Sequence, residues 1–437
     1  MNLNEIIKIT KGKLISGEIT NKTLGKLCVD SRKIEQNDIF VAIKGENVDG
    51  NNYIEDIIDI SSLIITTKNI KYSSKTPIIK VKNAYKAITK IGKYNRTKHI
   101  NKPLIAITGS VGKTTTKELI SQILNTEYNV LKTEGNKNNE LGVPLMLSQI
   151  NDNHEIIVLE LGMNHRNEIK RLTKICKPDI AIITNIGTAH IGNLKSQKNI
   201  LKAKLEIITK MKNKTLIING NDKFLKTIKK IKKLKIIKTK KINDVIINNK
   251  LNFKVNINKK SYQISYPTPN KCLIDNINIA IETAKLYNIK PENIINTINN
   301  FKQVKNRSNI INLNNNITLI DDTYNASLES IKGSLELLKN TKNKKLLILG
   351  DVLELGKKTK EIHKQIETEI DKVKNIKTIT VGENTKIIKQ GKHFNNNQEI
   401  INYLEQKELK NITILIKGSR RMHLEEIKDY LTNKYSL

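Results

Sequence analysis

The apolar residues of this chain form short continuous runs, and polar stretches with helical spacing separate them. Runs such as "PLIAITG", "EIIVLELG" and "DIAIITNIG" are typical of strands that are buried on both faces of a sheet. After the first of them, "KTTTKELISQILNTEY" places Leu119, Ile120 and Ile123 on one face of a helix. Strands that alternate with helices form right-handed crossovers in a mostly parallel sheet. The pattern therefore predicts an α/β fold.

The same pattern divides the 437 residues into three parts, in line with about 150 residues per domain. Residues 1–82 contain the runs "DIFVAIKG", "SLIITT" and "TPIIKVKN", which predict a small α/β unit. Residues 83–308 begin with a helix at "AYKAITKIGKYNR" and contain the central strands, with "TLIING" as a further one. Within them, residues 223–265 are rich in Lys, Ile and Asn, and their alternating pieces could form strands.

The alternation starts again in residues 309–437. Strands are predicted at "NITLIDD", "KKLLILG", "IKTITVG" and "ITILIKG", and helices at "SLESIKGSLELLK" and "TKEIHKQIETEI". This pattern predicts a second, smaller parallel α/β unit at the C-terminal end of the chain.

The composition is strongly basic, with 77 Lys and Arg against 42 Asp and Glu and a net charge of +35. Such a charge ordinarily indicates nucleic acid or an anionic membrane. Here the lysines are scattered through every segment, only 4% of the residues are aromatic, and no nucleic-acid-binding module is recognisable. We therefore expect no nucleic-acid partner.

The cysteines and the apolar runs bear on the compartment. The three cysteines are far apart and form no CxxC pair, which argues against a disulfide framework and a zinc site and favours a reducing cytosol. The N-terminus lacks the apolar stretch of a signal peptide, and no run approaches the roughly 20 residues that span a bilayer. We expect a cytoplasmic protein without membrane insertion.

A phosphate-binding loop is predicted at "GSVGKTTTKE", residues 109–118, which follows a buried strand and opens a helix. In it, Lys113 would reach the outer phosphates of ATP, and the hydroxyl of Thr114 or Thr115 would bind Mg²⁺. The usual loop has a glycine two residues earlier, where this chain has Ile107, so the loop is shorter than usual. The alternative is an ordinary strand–helix turn.

Three further residues lie where a nucleotide site would need them. Glu160 ends one predicted strand, His190 follows another, and ligands of parallel sheets bind beyond these strand ends. A buried strand-end glutamate suits Mg²⁺, whereas a lone histidine is more often structural. Lys204 lies on a predicted helix, and in a chain this rich in lysine its alternative is a solvent-facing side chain.

The short loop and several sequence blocks resemble the Mur ligase superfamily nearly from end to end. "DSRKIEQNDIFVAIKGENVDGNNYI" is similar to the uridine-side segment of that family. "GNKNNELGVPLML", "LELGMNHRNEIKRL" and "NIGTAHIGNL" match central blocks. "IDDTYNASLESI", "LILGDVLELG" with His363 downstream, and "ILIKGSRRM" match C-terminal blocks.

The resemblance implies the three-domain Mur ligase architecture, in which a central P-loop parallel-sheet domain stands between a small N-terminal α/β domain and a C-terminal Rossmann-like α/β domain. It implies that residues 1–82 bind a UDP-muramoyl substrate, that residues 83–308 bind ATP, and that residues 309–437 bind a dipeptide and close over the nucleotide. The implied activity is ATP-dependent joining of D-alanyl-D-alanine to UDP-N-acetylmuramoyl-tripeptide through an acyl phosphate, by a monomer.

The resemblance also implies a role for single residues. The implied ATP-binding residues are Gly109, Ser110, Val111, Gly112, Lys113, Thr114, Thr115, Asn139 and Asp322, the last at the ribose. The implied ligands of two Mg²⁺ ions are Thr114, Glu160, His190 and Lys204, with Lys204 carbamylated. The implied catalytic residues are Lys113, Glu160, His190, Lys204 and Arg307, the last at the transferred phosphate. The implied substrate-binding residues are Asp30, Ser31 and Arg32 at the uridine end, and Tyr324 and Asn325 at the dipeptide.

The chain departs from the family pattern at a few positions. A His-Asn pair expected near residue 275 is replaced within "CLIDNINIA", Asn306 stands where glycine is usual, and Ser327 alters the "NANP" block. Two alternatives stay open at this point. One is another amide ligase of the superfamily, of the third-residue-adding or folylpolyglutamate synthase type, although an Asp-Asn-Pro signature is absent. The other is a P-loop binding or regulatory ATPase that uses its basic surface for nucleic acid.

Overall fold

The computed structural model of the chain describes residues 1–18, 24–70, 74–211 and 214–436. In these residues, four β-sheets and their helices build an N-terminal, a central and a C-terminal α/β domain. This architecture confirms the predicted fold class. The longest helix, α3, has 15 residues, and no helix in the described part of the chain is long and apolar enough to cross a bilayer.

The N-terminal domain is built on a five-stranded sheet with the strand order β1-β5-β4-β3-β2, in which only β1 is antiparallel to its neighbour. Its strands are β1 (Lys13–Ser16), β2 (Leu27–Cys28), β3 (Ile39–Val41), β4 (Leu63–Thr66) and β5 (Ile78–Lys80), and its helices are α1 (Leu3–Thr10) and α2 (Ile54–Ile57). Helix α1 begins with a capping box, in which Asn2 and Glu5 each accept a hydrogen bond from the backbone N–H of the other.

The central domain contains a six-stranded, fully parallel sheet with the order β11-β10-β9-β6-β8-β7. Its strands are β6 (Leu104–Thr108), β7 (Val130–Lys132), β8 (Ile156–Glu160), β9 (Ile180–Ile183), β10 (Lys214–Ile218) and β11 (Leu234–Lys238). The helices before and between them are α3 (Ala84–Lys98), α4 (Lys113–Leu124), α5 (Gly142–Ser148), α6 (Glu168–Cys176), α7 (Ile191–Leu194) and α8 (Gln197–Lys204).

A small antiparallel sheet follows the central strands. It consists of β12 (Ile246–Ile247), β13 (Leu251–Ile257) and β14 (Lys260–Tyr266), and α9 (Ile274–Leu286) and α10 (Pro291–Asn299) come after it. Strand β13 alternates buried and partly exposed residues, so that one face covers the core around α4 and α9. These strands and β11 account for the Lys-, Ile- and Asn-rich stretch, whose strand content the sequence left open.

The C-terminal domain has a six-stranded sheet with the order β15-β16-β20-β17-β18-β19, which is parallel except for β15. Its strands are β15 (Asn309–Leu313), β16 (Ile317–Asp322), β17 (Lys344–Gly350), β18 (Ile376–Val381), β19 (Lys392–Phe394) and β20 (Ile412–Lys417). Its helices are α11 (Leu328–Lys339), α12 (Thr359–Asp371), α13 (Asn397–Glu405) and α14 (Glu425–Lys434).

Short 3₁₀ helices connect many of these elements. They are Ser31–Lys33, Gly50–Tyr53, Leu205–Ile208, Leu225–Thr227, Lys271–Leu273, Gly356–Lys358, Thr385–Ile387 and Arg420–Met422.

The apolar cores connect the domains. Residues of α3 such as Ile88 and Ile91 are fully buried in the same cluster as the N-terminal strands, and Leu145 of α5 joins that cluster. A second cluster runs from the central sheet into the C-terminal domain and includes Leu194 and Leu355. The cavity described below therefore lies between two domains that also share buried apolar surface.

Candidate active site

A cavity of about 1090 Å³ lies between the central and C-terminal domains. Its wall brings together most of the residues singled out in the sequence: Gly109, Ser110, Val111, Gly112, Lys113, Thr114, Thr115, Asn139, Glu160, His190, Lys204, Arg307, Asp322, Tyr324 and Asn325. The predicted uridine-side residues Asp30, Ser31 and Arg32 are not part of this wall. Their roles and those of the cavity residues stay predictions.

The predicted phosphate-binding loop, or phosphate loop, connects β6 to α4. Gly112 has φ +80° directly before Lys113, and a Cβ there would stand 2.6 Å from Oδ1 of Asn276. A Cβ on Gly109 would collide with the Thr184 hydroxyl. Both positions therefore require glycine. The backbone N–H of Val111 donates to Oδ1 of Asn185 (3.0 Å), so the loop is held by the segment that follows β9.

Lys113 folds back over the loop that precedes it. Its Nζ donates to the carbonyl oxygens of Gly109 (2.8 Å) and Ser110 (3.3 Å). Desolvation lowers the pKa of Lys113, Glu160 opposes this effect, and Arg307 adds to it. An ammonium that rests on two backbone carbonyls can turn towards a stronger acceptor such as a phosphate oxygen.

Glu160 ends β8 as a buried carboxylate, with 3% of its surface exposed. Its Oε2 accepts from the Thr114 hydroxyl (2.8 Å), and its Oε1 accepts from Nδ2 of Asn138 (2.9 Å). No ion pair of Glu160 occurs among the described residues. A buried anion that has only neutral hydrogen-bond donors suits a bound cation. Its oxygen, together with the Thr114 hydroxyl, forms the hard donor set that Mg²⁺ prefers.

Lys204 ends α8 and is buried, with 2% of its surface exposed. The solvent-facing alternative is therefore wrong: the carboxyl-terminal turn of α8 directs this lysine to the cavity while Lys202 stays outside. Burial lowers the pKa of Lys204 well below its usual value, and the nearby Lys113 lowers it further. In the parts of the chain that the structure describes, its ammonium has neither a hydrogen bond nor an ion pair.

Arg307 and Tyr324 form a stacked pair at the junction of the two domains. The guanidinium carbon lies 4.0 Å from the centroid of the Tyr324 ring. Nε of Arg307 is buried and makes no hydrogen bond to any residue of the described ranges. A guanidinium that is oriented by an aromatic face and has a free donor is suited to bind a phosphate or carboxylate oxygen.

His190 stands after β9 with a left-handed backbone, φ +61°. Its Nδ1 lies 2.5 Å from Oε2 of Glu354, which belongs to the C-terminal domain. This contact lowers the pKa of Glu354, and burial opposes it. His190 and Glu160 do not form a conventional metal cluster, because no three His, Cys, Asp or Glu side chains gather around one point within the described ranges. A second ligand for a cation would have to come from a hydroxyl or from Lys204.

Asp322 ends β16 at the opposite wall of the cavity. Oδ2 accepts from the buried Nζ of Lys417 (2.5 Å) and from the hydroxyl of Ser334 (2.5 Å), and Oδ1 accepts from the N–H of Ser308 (3.1 Å). Its carboxylate is therefore engaged within the C-terminal domain. Contact with a ribose would use the remaining acceptor capacity of these oxygens.

Two predicted binding residues use their side-chain oxygens to accept hydrogen bonds from the backbone. Oδ1 of Asn139 accepts from the backbone N–H groups of Leu141 (3.1 Å) and Gly142 (2.8 Å) at the start of α5. Oδ1 of Asn325 accepts from the N–H groups of Ala326 (2.9 Å) and Arg420 (3.4 Å). In both residues the amide Nδ2 has no hydrogen bond among the described residues, and it is available to a ligand.

The predicted uridine-side segment forms a 3₁₀ turn in the N-terminal domain. Asp30 caps this turn, and its two carboxylate oxygens accept from Nε (2.9 Å) and Nη2 (3.0 Å) of Arg32. These hydrogen bonds lower the pKa of Asp30. The guanidinium is largely exposed, so this ion pair lies at the surface.

Several cavity residues were missed by the sequence analysis. Asn138, Glu354 and Lys417 lie inside the blocks "GNKNNELG", "GDVLELG" and "ILIKGSRRM", which were quoted without a role for them. Asn276 lies in the departing "CLIDNINIA" stretch and packs against the phosphate loop. Glu329, which also lines the cavity, lies inside "IDDTYNASLESI", which was likewise quoted without a role for it.

Known proteins share the sequence pattern and the fold of this chain. Residues 107–284 match the profile of the Mur ligase middle domain, and residues 306–420 match that of the Mur ligase, glutamate ligase domain. The UDP-N-acetylmuramoyl-tripeptide–D-alanyl-D-alanine ligase of Bacillus subtilis is 31% identical to this chain, with 99% of each chain covered. The chain belongs to the Mur ligase family. The enzyme of the same name from Buchnera aphidicola subsp. Baizongia pistaciae is 33% identical over 100% of this chain and 99% of its own.

A solved structure extends the comparison to the whole fold of this Mur ligase. The crystal structure of MurF from Acinetobacter baumannii superposes with a TM-score of 0.89 at 27% identity, covering 99% of this chain and 98% of that one. The three-domain Mur ligase architecture therefore applies to the full length, including the N-terminal domain that neither profile matches.

Proposed function

We propose that this chain is an ATP-dependent ligase that joins D-alanyl-D-alanine to UDP-N-acetylmuramoyl-tripeptide and so forms the pentapeptide precursor of peptidoglycan. Membership of the Mur ligase family and end-to-end similarity to relatives of that name support this function. The observation that carries it is the meeting of the phosphate loop with Arg307 and Tyr324 at one cavity. ATP in the central domain and an amine held by the C-terminal domain can therefore both reach the carboxylate of a substrate bound in this cavity.

The chemistry requires an activated carboxylate. An amine does not displace oxide from a carboxylate, so the tripeptide carboxylate first takes the γ-phosphoryl group of ATP and releases ADP. The amine of the dipeptide then attacks the carbonyl carbon of the acyl phosphate, loses a proton, and expels inorganic phosphate as the amide forms. Lys113 and Arg307 would offset the repulsion between carboxylate and triphosphate.

The donor set near Glu160 fits Mg²⁺, for which we propose Thr114, Glu160, His190 and Lys204 as the residues that hold two ions. When bound, Mg²⁺ supplies charge neutralisation on the phosphate oxygens. The burial of Glu160, which has no ion pair among the described residues, supports this assignment. Thr114 would keep the Glu160 carboxylate oriented through the hydrogen bond that joins them.

Lys204 is proposed to be carbamylated. A neutral amine attacks CO₂ and loses a proton to give a carbamate, whereas an ammonium cannot. Burial lowers the pKa of Lys204 well below its usual value and so favours the neutral amine that this reaction needs. The carbamate would supply an anionic oxygen ligand at a position where the unmodified side chain has no partner among the described residues.

The other roles follow the family. We propose that residues 1–82 bind the UDP-muramoyl end through Asp30, Ser31 and Arg32. Residues 83–308 would bind ATP, with Ser110, Val111, Thr115 and Asn139 around it. Residues 309–437 would contribute Asp322 to the nucleotide and Tyr324 and Asn325 to the dipeptide. We propose that the enzyme acts as a monomer in the cytoplasm.

Phosphate release from ATP tests the function. Purified protein is incubated with UDP-N-acetylmuramoyl-tripeptide with and without D-alanyl-D-alanine, and products are identified by mass. Release that requires the dipeptide, together with a UDP-N-acetylmuramoyl-pentapeptide, supports the proposal. Release satisfied by a single amino acid would indicate another amide ligase, and release indifferent to both would indicate a plain P-loop ATPase. Repeating the assay with lysine or diaminopimelate as the third residue defines the tripeptide.

A further inference from the structure

The segment of residues 187–192, which runs from the connection after β9 into the first residues of α7, is held on one side by the phosphate loop. The backbone N–H of Gly187 donates to Oγ of Ser110 (2.8 Å), which lies inside that loop. His190, three residues further on, faces the cavity. The segment therefore contacts the phosphate loop and lines the cavity at the same time.

The same segment is bound from the other side by Glu329 of the C-terminal domain. The N–H of Thr188 donates to Oε1 of Glu329 (2.8 Å), and its hydroxyl donates to Oε2 (3.0 Å). The Glu329 carboxylate also packs against Gly187: a Cβ on Gly187 would lie only 2.6 Å from Cδ of Glu329. Thr188 is 9% exposed, so these two hydrogen bonds are largely shielded from water.

Glu329 lies in the first turn of α11, directly after the segment that contains Tyr324 and Asn325. The turn is rigid because Ser327 caps the helix and Ser330 completes a capping box with it. The short connection from Asn325 to this cap leaves little freedom. Fixing Glu329 therefore fixes the segment before it.

A second contact between the same two regions is independent of Glu329. The N–H of Gly192 donates to the carbonyl oxygen of Glu354 (3.1 Å), and Nδ1 of His190 lies 2.5 Å from the Glu354 carboxylate. The C-terminal domain thus contacts the segment at both of its ends. Loss of the Glu329 carboxylate would leave the two domains in contact through Glu354, and would release only the Gly187–Thr188 end of the segment.

We infer that Glu329 is a positioning residue that fixes the Tyr324–Asn325 segment against the nucleotide site by holding the peptide between Gly187 and Thr188. This inference rests on the proposed function, because it assigns the Tyr324–Asn325 segment to the incoming dipeptide. Both carboxylate oxygens of Glu329 accept hydrogen bonds from Thr188, so its role is exerted through the segment of residues 187–192. Through Gly187 and Thr188, it links the phosphate loop to the part of the C-terminal domain that would bind the amine substrate, and so keeps the two at a fixed distance.

Steady-state kinetics of Glu329→Gln and Glu329→Ala test the inference. We expect kcat/KM for D-alanyl-D-alanine to fall about tenfold in the glutamine variant and about a hundredfold in the alanine variant, because a small misplacement of a reactant is enough for such losses. The Kd for ATP, measured without dipeptide, should change less than about twofold, since the phosphate loop keeps its own contacts. Glu336→Gln, on an exposed part of the same helix, is the matched control and should behave as wild type.

A double-mutant cycle assigns the effect to the contact itself. Thr188→Val removes the hydroxyl and keeps the shape, so Glu329→Gln should lose less in the valine background than in wild type. Additive losses in the two backgrounds would overturn the inference. It would also be overturned by a wild-type kcat/KM in Glu329→Ala, or by a loss of ATP affinity equal to the loss in kcat/KM.

Amide hydrogen exchange gives a readout that does not depend on activity. In Glu329→Ala, a peptide that covers residues 187–192 should exchange about tenfold faster than in wild type and in Glu336→Gln, because Thr188 loses its acceptor. Unchanged exchange would overturn the inference even if activity fell. If the wild-type protein forms no pentapeptide, the proposed function fails, whereas the exchange measurement still decides whether Glu329 holds this segment.

Discussion

Buried side chains with unusual partners characterise this molecule at the scale of single residues. Among the described residues, Lys204 is an enclosed amine without a counterion, Glu160 is an enclosed carboxylate without a cation, and Arg307 has a buried Nε without an acceptor. Each of these groups is destabilising in a folded protein unless a ligand binds it. Their occurrence on one cavity wall is what distinguishes a binding site from ordinary packing.

The buried amine has a consequence for stability. Burial lowers the pKa of Lys204 in the folded chain, whereas the unfolded chain keeps the ordinary lysine pKa of about 10.4. At a pH between these two pKa values, Lys204 carries a proton in the unfolded chain and lacks it in the folded chain. Unfolding in that window takes up a proton, so stability rises with pH. In CO₂-free buffer without ATP, Lys204→Met should remove this dependence and reduce the slope by up to about 1.4 kcal/mol per pH unit.

Urea unfolding at several pH values measures this slope. Lys202→Met, on the exposed face of the same helix, should leave it unchanged. Equal slopes for wild type and Lys204→Met would mean that Lys204 is charged in the folded protein.

Arg307 allows a test of geometry against charge. Arg307→Lys keeps the positive charge and loses both the planar fork and the stacking on Tyr324. We expect kcat to fall about 10²-fold with little change in the binding of ATP, as for the loss of one charge-stabilising donor. Rapid-quench and equilibrium-binding measurements separate the two quantities. An equal loss for Arg166→Lys, at an exposed site, would show that the effect is not specific.

At the scale of elements, the sequence pattern predicted the strands that are buried on both faces. Strands β6, β8, β9, β17 and β20 were predicted because a short, continuous apolar run in an α/β chain is typical of a central strand. The short strands β2 and β7 and the edge strands β1, β15 and β19 were missed. Edge and short strands have fewer buried positions, so tertiary pairing decides them and the local pattern does not.

The candidate site was predictable to the extent that a motif encodes it. The phosphate loop follows from its glycines and its place after a strand, and Glu160 follows from its place at a strand end. Glu329 and Asn276 could not be predicted, because their contacts join residues far apart in the chain. From the residues alone, the expectation that Lys204 faces solvent was wrong. A helix that carries both Lys202 and Lys204 gives no indication of which of the two is buried.

Helix α3 depends on one buried guanidinium. Arg96 is fully buried, and it donates to the carbonyl oxygens of Cys176 (2.8 Å), His99 (2.7 Å) and Lys102 (2.8 Å). Burial lowers the pKa of Arg96 to about 10. Arg96→Met should destabilise the protein by about 3–5 kcal/mol, because four carbonyl groups, that of Lys177 (3.3 Å) included, lose their donor. Chemical denaturation would measure it, and a loss similar to that of Arg166→Met, expected within about 0.5 kcal/mol of wild type, would contradict it.

At the scale of the whole molecule, the net charge of +35 causes repulsion between positive side chains, which lowers the stability of the folded protein. The Debye length falls from about 30 Å at about 0.01 M salt to about 10 Å at about 0.1 M. Added NaCl should therefore raise Tm, by about 2–4 °C for each kcal/mol of repulsion relieved. The control is the same titration near the sequence pI of 9.8, where the net charge vanishes. A Tm that does not respond to salt at neutral pH would show that the charges are too dispersed to repel.

The close approach of Gly192 and Gly356 has a thermal consequence. A Cβ on Gly356 would stand 3.0 Å from Cα of Gly192, and the buried Ile191 and Leu355 lie beside this backbone contact. Separating the two domains there would expose apolar surface to water, and this exposure raises the heat capacity of the protein. Hydrophobic contacts weaken on cooling. The joint between these domains should therefore loosen in the cold, and a ligand that draws them together should bind with a negative heat-capacity change.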